Sequence, residues 1–163
     1  MSSRCTFRAA ALILVLGGMT FAQTAKYRRQ GPVYLNDVRV TPGAVLKVDL
    51  KTLCTPGYTG TVRDVPLPVK KQACDLYGVP AAHCNGKEVE IDHLISLEIG
   101  GSNDLKNLWP QPYKPIPGAH EKDKLENWLH GQVCSGNMSL QTAQRGIAKN
   151  WYQGYANLVQ NPH

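Results

Sequence analysis

The sequence contains no apolar run long enough to cross a membrane. Its longest one, residues 9–16, is about half of the roughly 20 residues that a spanning helix needs. Arg4 and Arg8 lie ahead of this run and Gly-Gly-Met-Thr-Phe-Ala follows it, which is the order of a secretory signal peptide. We therefore expect cleavage after Ala22 and a secreted or periplasmic product with no membrane partner. Cys5 precedes the apolar run, so no lipid-modified cysteine is expected.

The sequence also lacks any Cys-x-x-Cys pair. Successive cysteines beyond the signal peptide are separated by 20, 10 and 50 residues. Structural zinc sites usually contain such a close pair, so zinc binding through these thiols is the lesser alternative. An even number of cysteines in a chain bound for an oxidising compartment predicts two disulfides. Four cysteines allow three pairings, and the sequence leaves the choice open among Cys54, Cys74, Cys84 and Cys134.

Acidic residues are fewer than basic ones, 12 against 18, and the formal charge falls from +6 to +4 when Arg4 and Arg8 leave with the signal peptide. A mild positive charge suits a polyanionic partner but is common among secreted proteins, so by itself it indicates little. No internal repeat is present. The 141 residues from 23 to 163 are typical of one hydrophobic core. We predict a single domain over residues 46–163.

Short-range patterns organise the first half of the chain. Residues 23–45 show no sustained period and predict a loosely ordered lead-in. Residues 46–50 alternate between apolar and polar side chains and predict a short strand. Residues 56–60 predict a turn. Apolar positions within residues 69–77 share one helical face, which predicts a first short helix ending at Gly78.

A second alternating segment, residues 88–95, predicts a half-buried strand. The turn-forming residues 100–104 follow it, and residues 105–109 are apolar enough to return as a second strand. Neighbouring side chains of a regular strand point to opposite faces, so Asp92 and His93 share one site only if the strand bends there or the metal lies at the edge of the strand. Together these segments predict a hairpin with a long loop.

Four prolines in residues 110–118 exclude a helix interior and predict an extended connection. Apolar residues at helical spacing then predict one helix over residues 119–133 and a last helix over residues 140–155. Trp109, Trp128 and Trp151 are expected in the core.

The predicted order of strand, turn, strand, loop and helix brings polar side chains to three corners of one unit. Asp92 and His93 lie on the first strand, Asn107 on the second, and His120 near the start of the helix. Metal-assisted phosphodiester hydrolysis needs a base that takes a proton from water, a metal that stabilises developing charge, and a group that holds the base in orientation. These residue types supply all three.

The run Glu-Ile-Asp-His-Leu-Ile-Ser-Leu-Glu-Ile-Gly-Gly-Ser-Asn-Asp-Leu-Lys-Asn-Leu-Trp-Pro, residues 90–110, resembles the motif of HNH (His-Me finger, ββα-metal) endonucleases of the small secreted bacterial type. The resemblance covers residues 88–130. It implies an α+β fold in which a ββα-metal unit packs with two or three additional helices, stapled by disulfides. It also implies His93 as the general base, Asp92 and His120 as metal ligands, and Asn107 as the residue that braces the loop and orients the base.

Several assignments around this motif stay open. The 13 residues between Asn107 and His120 are rich in proline, so the helix-borne ligand has three alternatives, Glu121, Asp123 and Asn127. Other side chains near the motif are candidates for binding substrate phosphates or for an ordinary wet surface: Lys106, Lys122 and Lys124. Glu98 is a candidate carboxylate that supports a histidine or metal ligand from behind.

The function that the resemblance implies is metal-dependent endonucleolytic cleavage, leaving 5′-phosphate and 3′-hydroxyl ends. DNA is the expected partner, with RNA as an alternative substrate and an inhibitor protein as a further candidate partner. One divalent ion is expected, Mg²⁺ first, with Mn²⁺, Zn²⁺ and Ca²⁺ as alternatives. Two rival hypotheses are a catalytically inactive nucleic-acid-binding module and a disulfide-stapled structural protein of the cell envelope.

Overall fold

The computed structural model describes residues 27–160, so the predicted signal peptide, residues 1–22, lies outside the described residues. The strands are β1 (Arg28–Gln30), β2 (Val33–Leu35), β3 (Val89–His93) and β4 (Leu108–Pro112). The α-helices are α1 (Leu50–Leu53), α2 (Tyr58–Val62), α3 (Leu67–Leu76), α4 (Ala119–Cys134) and α5 (Leu140–Gln160).

The elements form a mixed α+β structure with two small antiparallel sheets, β1–β2 and β3–β4, which confirms the predicted fold class at this level. Buried side chains from both sheets and from the helices join one hydrophobic cluster, for example Val33, Leu53, Trp109, Leu129 and Trp151. None of the helices within residues 27–160 is long and apolar enough to cross a membrane.

The N-terminal segment is ordered and packed, so the predicted lead-in over residues 23–45 is wrong for residues 27–45. Gln30 pairs with Val33 across a two-residue turn, and Gly31 adopts the left-handed conformation there with φ of +58°. Val33 is fully buried, and Tyr27 donates a hydrogen bond to the carbonyl of Pro110. Strands of three residues are too short to show an alternating pattern, which is why the sequence indicated only turns.

The strand predicted over residues 46–50 is also wrong. Val45 forms only an isolated bridge with Gly101, and the chain enters α1 at Leu50. Asp49 begins this helix because its side chain accepts a hydrogen bond from the backbone N–H of Thr52 at 2.9 Å. The turn predicted over residues 56–60 likewise contains the start of α2.

The three longer helices are confirmed. α3 ends just before Gly78, whose φ is +64°, as the predicted stop at that glycine requires. α4 begins at Ala119 and buries Leu125, Leu129 and Val133 along one face. α5 buries its own stripe of Ala143, Ile147 and Trp151 in the same cluster and packs on α4. It differs from the predicted continuous helix by a kink at Asn150, whose φ of −167° and ψ of 90° are not helical.

The β3–β4 hairpin carries the motif. β3 lies within the predicted strand, but β4 begins three residues later than predicted because residues 105–107 form a 3₁₀ turn. At one end of the strand pair the backbone N–H of Leu94 donates to the carbonyl of Asn107, and at the other end the N–H of Tyr113 donates to the carbonyl of Glu88. Backbone N–H groups along β4 point alternately toward and away from β3, and because that of Tyr113 points toward β3, position 110 points away from it. The missing N–H of Pro110 therefore lies on the outer edge of β4.

Two disulfides are present, as predicted, and they settle the pairing that the sequence left open. Cys54 pairs with Cys134, which joins the end of α1 to the end of α4. Cys74 pairs with Cys84, which joins α3 to the loop before β3. All four thiols are used in this way, so zinc binding through them is excluded.

Candidate active site

His93 lies at the end of β3, where the strand gives way to the loop that leads to the Gly-Gly turn. The whole residue is 5% exposed to solvent. The ring nitrogen Nε2 lies 2.9 Å from Oδ1 of Asn103, and Asn103 donates from Nδ2 to the carbonyl of Val62 at 2.6 Å. The imidazole is therefore held through a chain of two hydrogen bonds that starts at a backbone group.

This chain fixes the tautomer of His93. The Val62 carbonyl can only accept, so the amide nitrogen of Asn103 must face it and the amide oxygen must face the histidine. Nε2 of His93 must then carry the hydrogen. The lone pair of the neutral ring is left on Nδ1, which has no hydrogen-bond partner within residues 27–160. A neutral histidine with an uncommitted lone pair has the form that a general base needs.

Burial lowers the pKa of His93, because the charged imidazolium is poorly solvated there. The hydrogen bond to Asn103 and the charge of Asp92 oppose that shift, while the cations Arg63 and Lys122 reinforce it. The ring is therefore neutral at pH 7.

The side chain of Asp92 contacts different residues from the side chain of His93. Its Oδ2 lies 2.7 Å from Nζ of Lys122 on α4 and also accepts a hydrogen bond from the indole of Trp109 at 3.3 Å. Its Oδ1 has no hydrogen-bond partner within residues 27–160. One carboxylate oxygen of Asp92 is thus anchored by the protein and the other is open.

Lys122 is a buried ammonium with all three of its hydrogens engaged. Besides Asp92 it donates to the backbone carbonyl of His93 at 2.8 Å and to the carboxylate of Glu126, one helical turn along α4. Burial raises the pKa of the Glu126 carboxyl, and the negative charge of Asp92 adds to that rise against the attraction of Lys122. The ammonium of Lys122 therefore links α4 to the end of β3 through its contacts with Asp92 and His93.

Asn107 is fully buried and braces the loop behind His93. Its Oδ1 accepts from the backbone N–H of Ile95 at 2.9 Å, and its Nδ2 donates to the carbonyls of Ile95 and Ser102, both at 2.9 Å. It also receives the N–H of Ala44 at 3.3 Å. The structure thus places Asn107 where the predicted bracing of the loop requires it, without contact between its side chain and the imidazole.

The loop that Asn107 braces requires glycine at positions 100 and 101. Gly100 adopts a left-handed conformation with φ of +78°. A Cβ on Gly101 would lie 1.7 Å from the carbonyl oxygen of Ile95, the same oxygen that accepts from Asn107. Only glycine permits so close an approach of the two backbone segments. The pair therefore closes the loop that Asn107 spans.

His120 stands apart from this buried cluster. Its side chain is 71% exposed, and its Nδ1 lies 3.8 Å from Oδ2 of Asp123; its ring centroid lies 4.7 Å from that of Tyr113. Burial raises the pKa of the Asp123 carboxyl, and the negative charge of Asp92 raises it further. Glu90 shows the same pattern, with burial first and then Asp92 and Asp123 raising its pKa.

Carboxylate oxygens are the donor type that divalent cations such as Mg²⁺ prefer in proteins. Within residues 27–160, no three His, Cys, Asp or Glu side chains converge as a ready-made metal cage. Mg²⁺, however, is commonly held by one or two carboxylates, with water and substrate phosphates completing its shell. The open Oδ1 of Asp92 and the carboxylate of Asp123 are oxygen donors of this kind, and the charge of Asp92 raises the pKa of Asp123. His120 lies beside Asp123 as a further donor.

The predicted phosphate-binding lysines have different surroundings. Lys122 is 1% exposed and saturated by its three acceptors, so it is not available to a phosphate, and this prediction is corrected. Lys106 is exposed, and Lys124 is exposed beside Glu121 at 3.5 Å. Glu121 accepts from the Gly118 N–H at 2.9 Å at the start of α4. Glu121 therefore caps the start of α4.

Glu98 does not support a histidine ring through its carboxylate. The contact with His130 uses the Glu98 backbone carbonyl, at 2.7 Å from Nδ1. The carboxylate oxygen Oε2 is buried and has no partner within the described part of the chain.

Three side chains of the site are missing from the sequence interpretation: Asn103, Lys122 in its buried role, and Glu126. The spacing of four residues between Lys122 and Glu126 is typical of an ion pair on one helical face and could have suggested this contact, but the spacing carries no information on burial. Asn103 had no signal of its own, since its amide bridges to Val62, 41 residues earlier in the chain.

No protein-family model, curated protein or solved structure matches this chain. The function is therefore argued from the geometry of His93 and its neighbours.

Proposed function

We propose that this chain is a metal-dependent endonuclease that hydrolyses phosphodiester bonds in DNA, with RNA as the alternative substrate. The observation that carries the proposal is the fixed tautomer of His93, whose Nε2–H is held by Asn103 and whose Nδ1 lone pair is free. A structural histidine satisfies both nitrogens where it can. A base keeps one open.

In the proposed reaction, Nδ1 of His93 takes a proton from a water molecule. The water oxygen attacks phosphorus in line with the bond to the 3′ oxygen, and that bond breaks. The departing 3′ oxygen takes up a proton from solvent, so the products are a 5′-phosphate and a 3′-hydroxyl. Asn103 keeps the ring from turning as its charge changes, and Asn107 keeps the backbone behind it in place.

We propose that β3, β4 and α4 form a ββα-metal unit. A divalent ion bound there, Mg²⁺ first among the candidates, would stabilise negative charge on the phosphoryl and leaving oxygens. Asp92 is the ligand that the protein prepares, because Lys122 and Trp109 hold one oxygen and leave the other open. Asp123 and His120 on α4 are the neighbouring donors.

The two disulfides fit a protein that works outside the reducing cytosol. We accordingly propose a secreted or periplasmic site of action.

Plasmid cleavage by the purified, oxidised protein tests the proposal. We expect nicking with Mg²⁺ or Mn²⁺, its loss with chelator, and its loss in His93→Ala. The matched control is His83→Ala, because His83 is an exposed histidine paired with Glu88 on the surface. If no divalent ion supports cleavage of DNA or RNA, or if His93→Ala cleaves as well as His83→Ala, the proposal is wrong.

A further inference from the structure

A cleft of about 620 Å³ lies between α3, the loop after the Cys74–Cys84 disulfide, and β3. Three cations line it, Arg63, Lys70 and Lys71, and they are exposed. None of them forms a salt bridge or a side-chain hydrogen bond within residues 27–160. The acidic side chains of the same cleft are Asp75 and Glu90. Cations therefore outnumber carboxylates there, and their charges are not neutralised by ion pairs.

The cleft continues past Tyr113 into a second one of about 360 Å³. Both are lined by Gly86 and Tyr113, and the second adds two cations, Lys87 and Lys114, and one carboxylate, Glu121. Lys87 and Lys114 are exposed and also form no salt bridge within the described residues. We call the combined surface from Arg63 through Tyr113 to Lys114 the basic strip.

The basic strip runs beside the candidate active site. At one end, Arg63 follows Val62, whose carbonyl anchors Asn103 and through it His93. In the middle, Glu90 lies two residues before Asp92 on β3. At the far end, His120 lines the second cleft next to Tyr113. The strip therefore lies along the end of α2, along β3 and at the start of α4, the elements that also carry the candidate active site.

We propose that the basic strip binds the phosphate backbone of a nucleic-acid strand and presents one of its phosphodiester bonds to His93. This inference rests on the proposed function and deepens it by naming the surface that holds the substrate. Contacts of lysine and arginine with phosphates act through charge and carry no sequence information, so we expect binding along the strip to be independent of base sequence. Tyr113, between the two clefts, offers a ring on which a base can stack.

Binding is measured on the His93→Ala background, so that the probe is not cut. The probes are a fluorescently labelled duplex of 20 base pairs and the corresponding single strand, followed by anisotropy over a series of salt concentrations. The test variant is Lys70→Ala with Lys71→Ala. The matched control is Arg145→Ala with Lys149→Ala on α5, which removes the same charge from another exposed surface.

We expect the strip variant to bind more weakly and to lower the slope of log affinity against log salt by about 1.4–1.8, the value for two lost phosphate contacts. The α5 variant is expected to keep the slope of its parent, and two unrelated sequences are expected to bind alike. Equal slopes in the two double variants, or no binding by the parent, overturn the inference. Failure of the wild-type chain to cleave, with the slope difference intact, overturns the nuclease proposal and leaves the strip as a nucleic-acid-binding surface.

Discussion

Nζ of Lys122 lies 2.7 Å from Oδ2 of Asp92, and their side chains are only 1% and 10% exposed. Lys122 thereby supplies a permanent positive charge directly behind the proposed metal ligand, and it also holds the backbone carbonyl of His93. One cation is thus part of the site, and Oδ1 of Asp92 keeps no hydrogen-bond partner within residues 27–160.

Replacing Lys122 by Met should destabilise the fold strongly. Asp92 and Glu126 would be left buried without a counter-charge, which costs about 3–5 kcal/mol. Urea unfolding under non-reducing conditions measures the free energy of unfolding. Lys124→Met, a neighbouring exposed position, is the control and should change it by no more than about 0.5 kcal/mol. Similar effects of the two changes would show that the buried ion pairs do not support the fold.

Replacing Asn103 by Asp should move the acid limb of the activity profile to higher pH. A carboxylate beside Nε2 stabilises the imidazolium, so it raises the pKa of His93 and more of the base is protonated at a given pH. In the wild type, burial lowers that pKa, so activity should persist below the ordinary histidine range near pH 6.5. NMR titration of the imidazole without added metal gives the same pKa independently of activity. A pKa that does not rise in the variant contradicts the assigned contact.

The same lowered pKa has a consequence for stability. The unfolded chain binds the proton more readily than the folded one, so the contribution of a neutral His93 is present above about pH 6.5 and is lost as the pH falls below it. His93→Gln should therefore flatten the decline of unfolding free energy in that range, as measured by urea unfolding at a series of pH values. An unchanged decline would place the titrating group elsewhere.

The two disulfides should differ in their contribution to stability because they close loops of different length. Their separations are 80 residues for Cys54–Cys134 and 10 residues for Cys74–Cys84. Loop-closure entropy predicts about 4.5 and 2.7 kcal/mol, respectively. Paired Cys→Ser variants, compared by urea unfolding, should show the larger loss for the Cys54–Cys134 pair. The opposite order would mean that the short link is needed for packing of α3 and not only for chain entropy.

Alanine at Gly101 and alanine at Gly131 should act in opposite directions. At Gly101 the new Cβ meets the Ile95 carbonyl, so the loop must shift, at a cost of about 1–3 kcal/mol. Gly131 lies in α4 with nothing within 4 Å of an added Cβ, so alanine there should stabilise by about 0.5–1 kcal/mol. Thermal unfolding of both variants measures the difference. A neutral Gly101→Ala would mean that the loop braced by Asn107 is not tightly closed.

The sequence predicted the elements whose periodicity extends over many residues. α3, α4 and α5 each present an apolar face over many residues, and these faces contribute the buried residues of the three helices. β3 is a strand as predicted, but its burial does not alternate, because Ile91 is only half-buried and Asp92 is buried. The hairpin β1–β2 was not predicted because its strands have three residues each. The strand expected over residues 46–50 is displaced by the cap that Asp49 provides, and β4 is displaced by the 3₁₀ turn that Asp104 caps. Local side-chain hydrogen bonds decide these boundaries, and an apolar pattern does not record them.

For the candidate site, the sequence predicted Asp92 and His93 on the first strand of the hairpin and Asn107 on the second. The structure has Asp92 and His93 on β3, but Asn107 lies in the 3₁₀ turn just before β4. The sequence could not indicate that Asn103 orients His93, since the anchor is a backbone carbonyl on α2. It also could not indicate the burial of Lys122, because a lysine on a helix is ordinarily exposed and only the packing of α4 on β3 encloses this one.

The hairpin at the beginning of the described chain and the helix at its end share one core. Asn150 on α5 donates to the side chain of Gln30 on β1, 120 residues away, and Trp151 joins Val33 in the hydrophobic cluster. During synthesis or transport through a pore, the core cannot close until Trp151 has left the ribosome or the pore. The pocket of His93 should therefore be assembled late, and its formation should be slow compared with that of the separate helices.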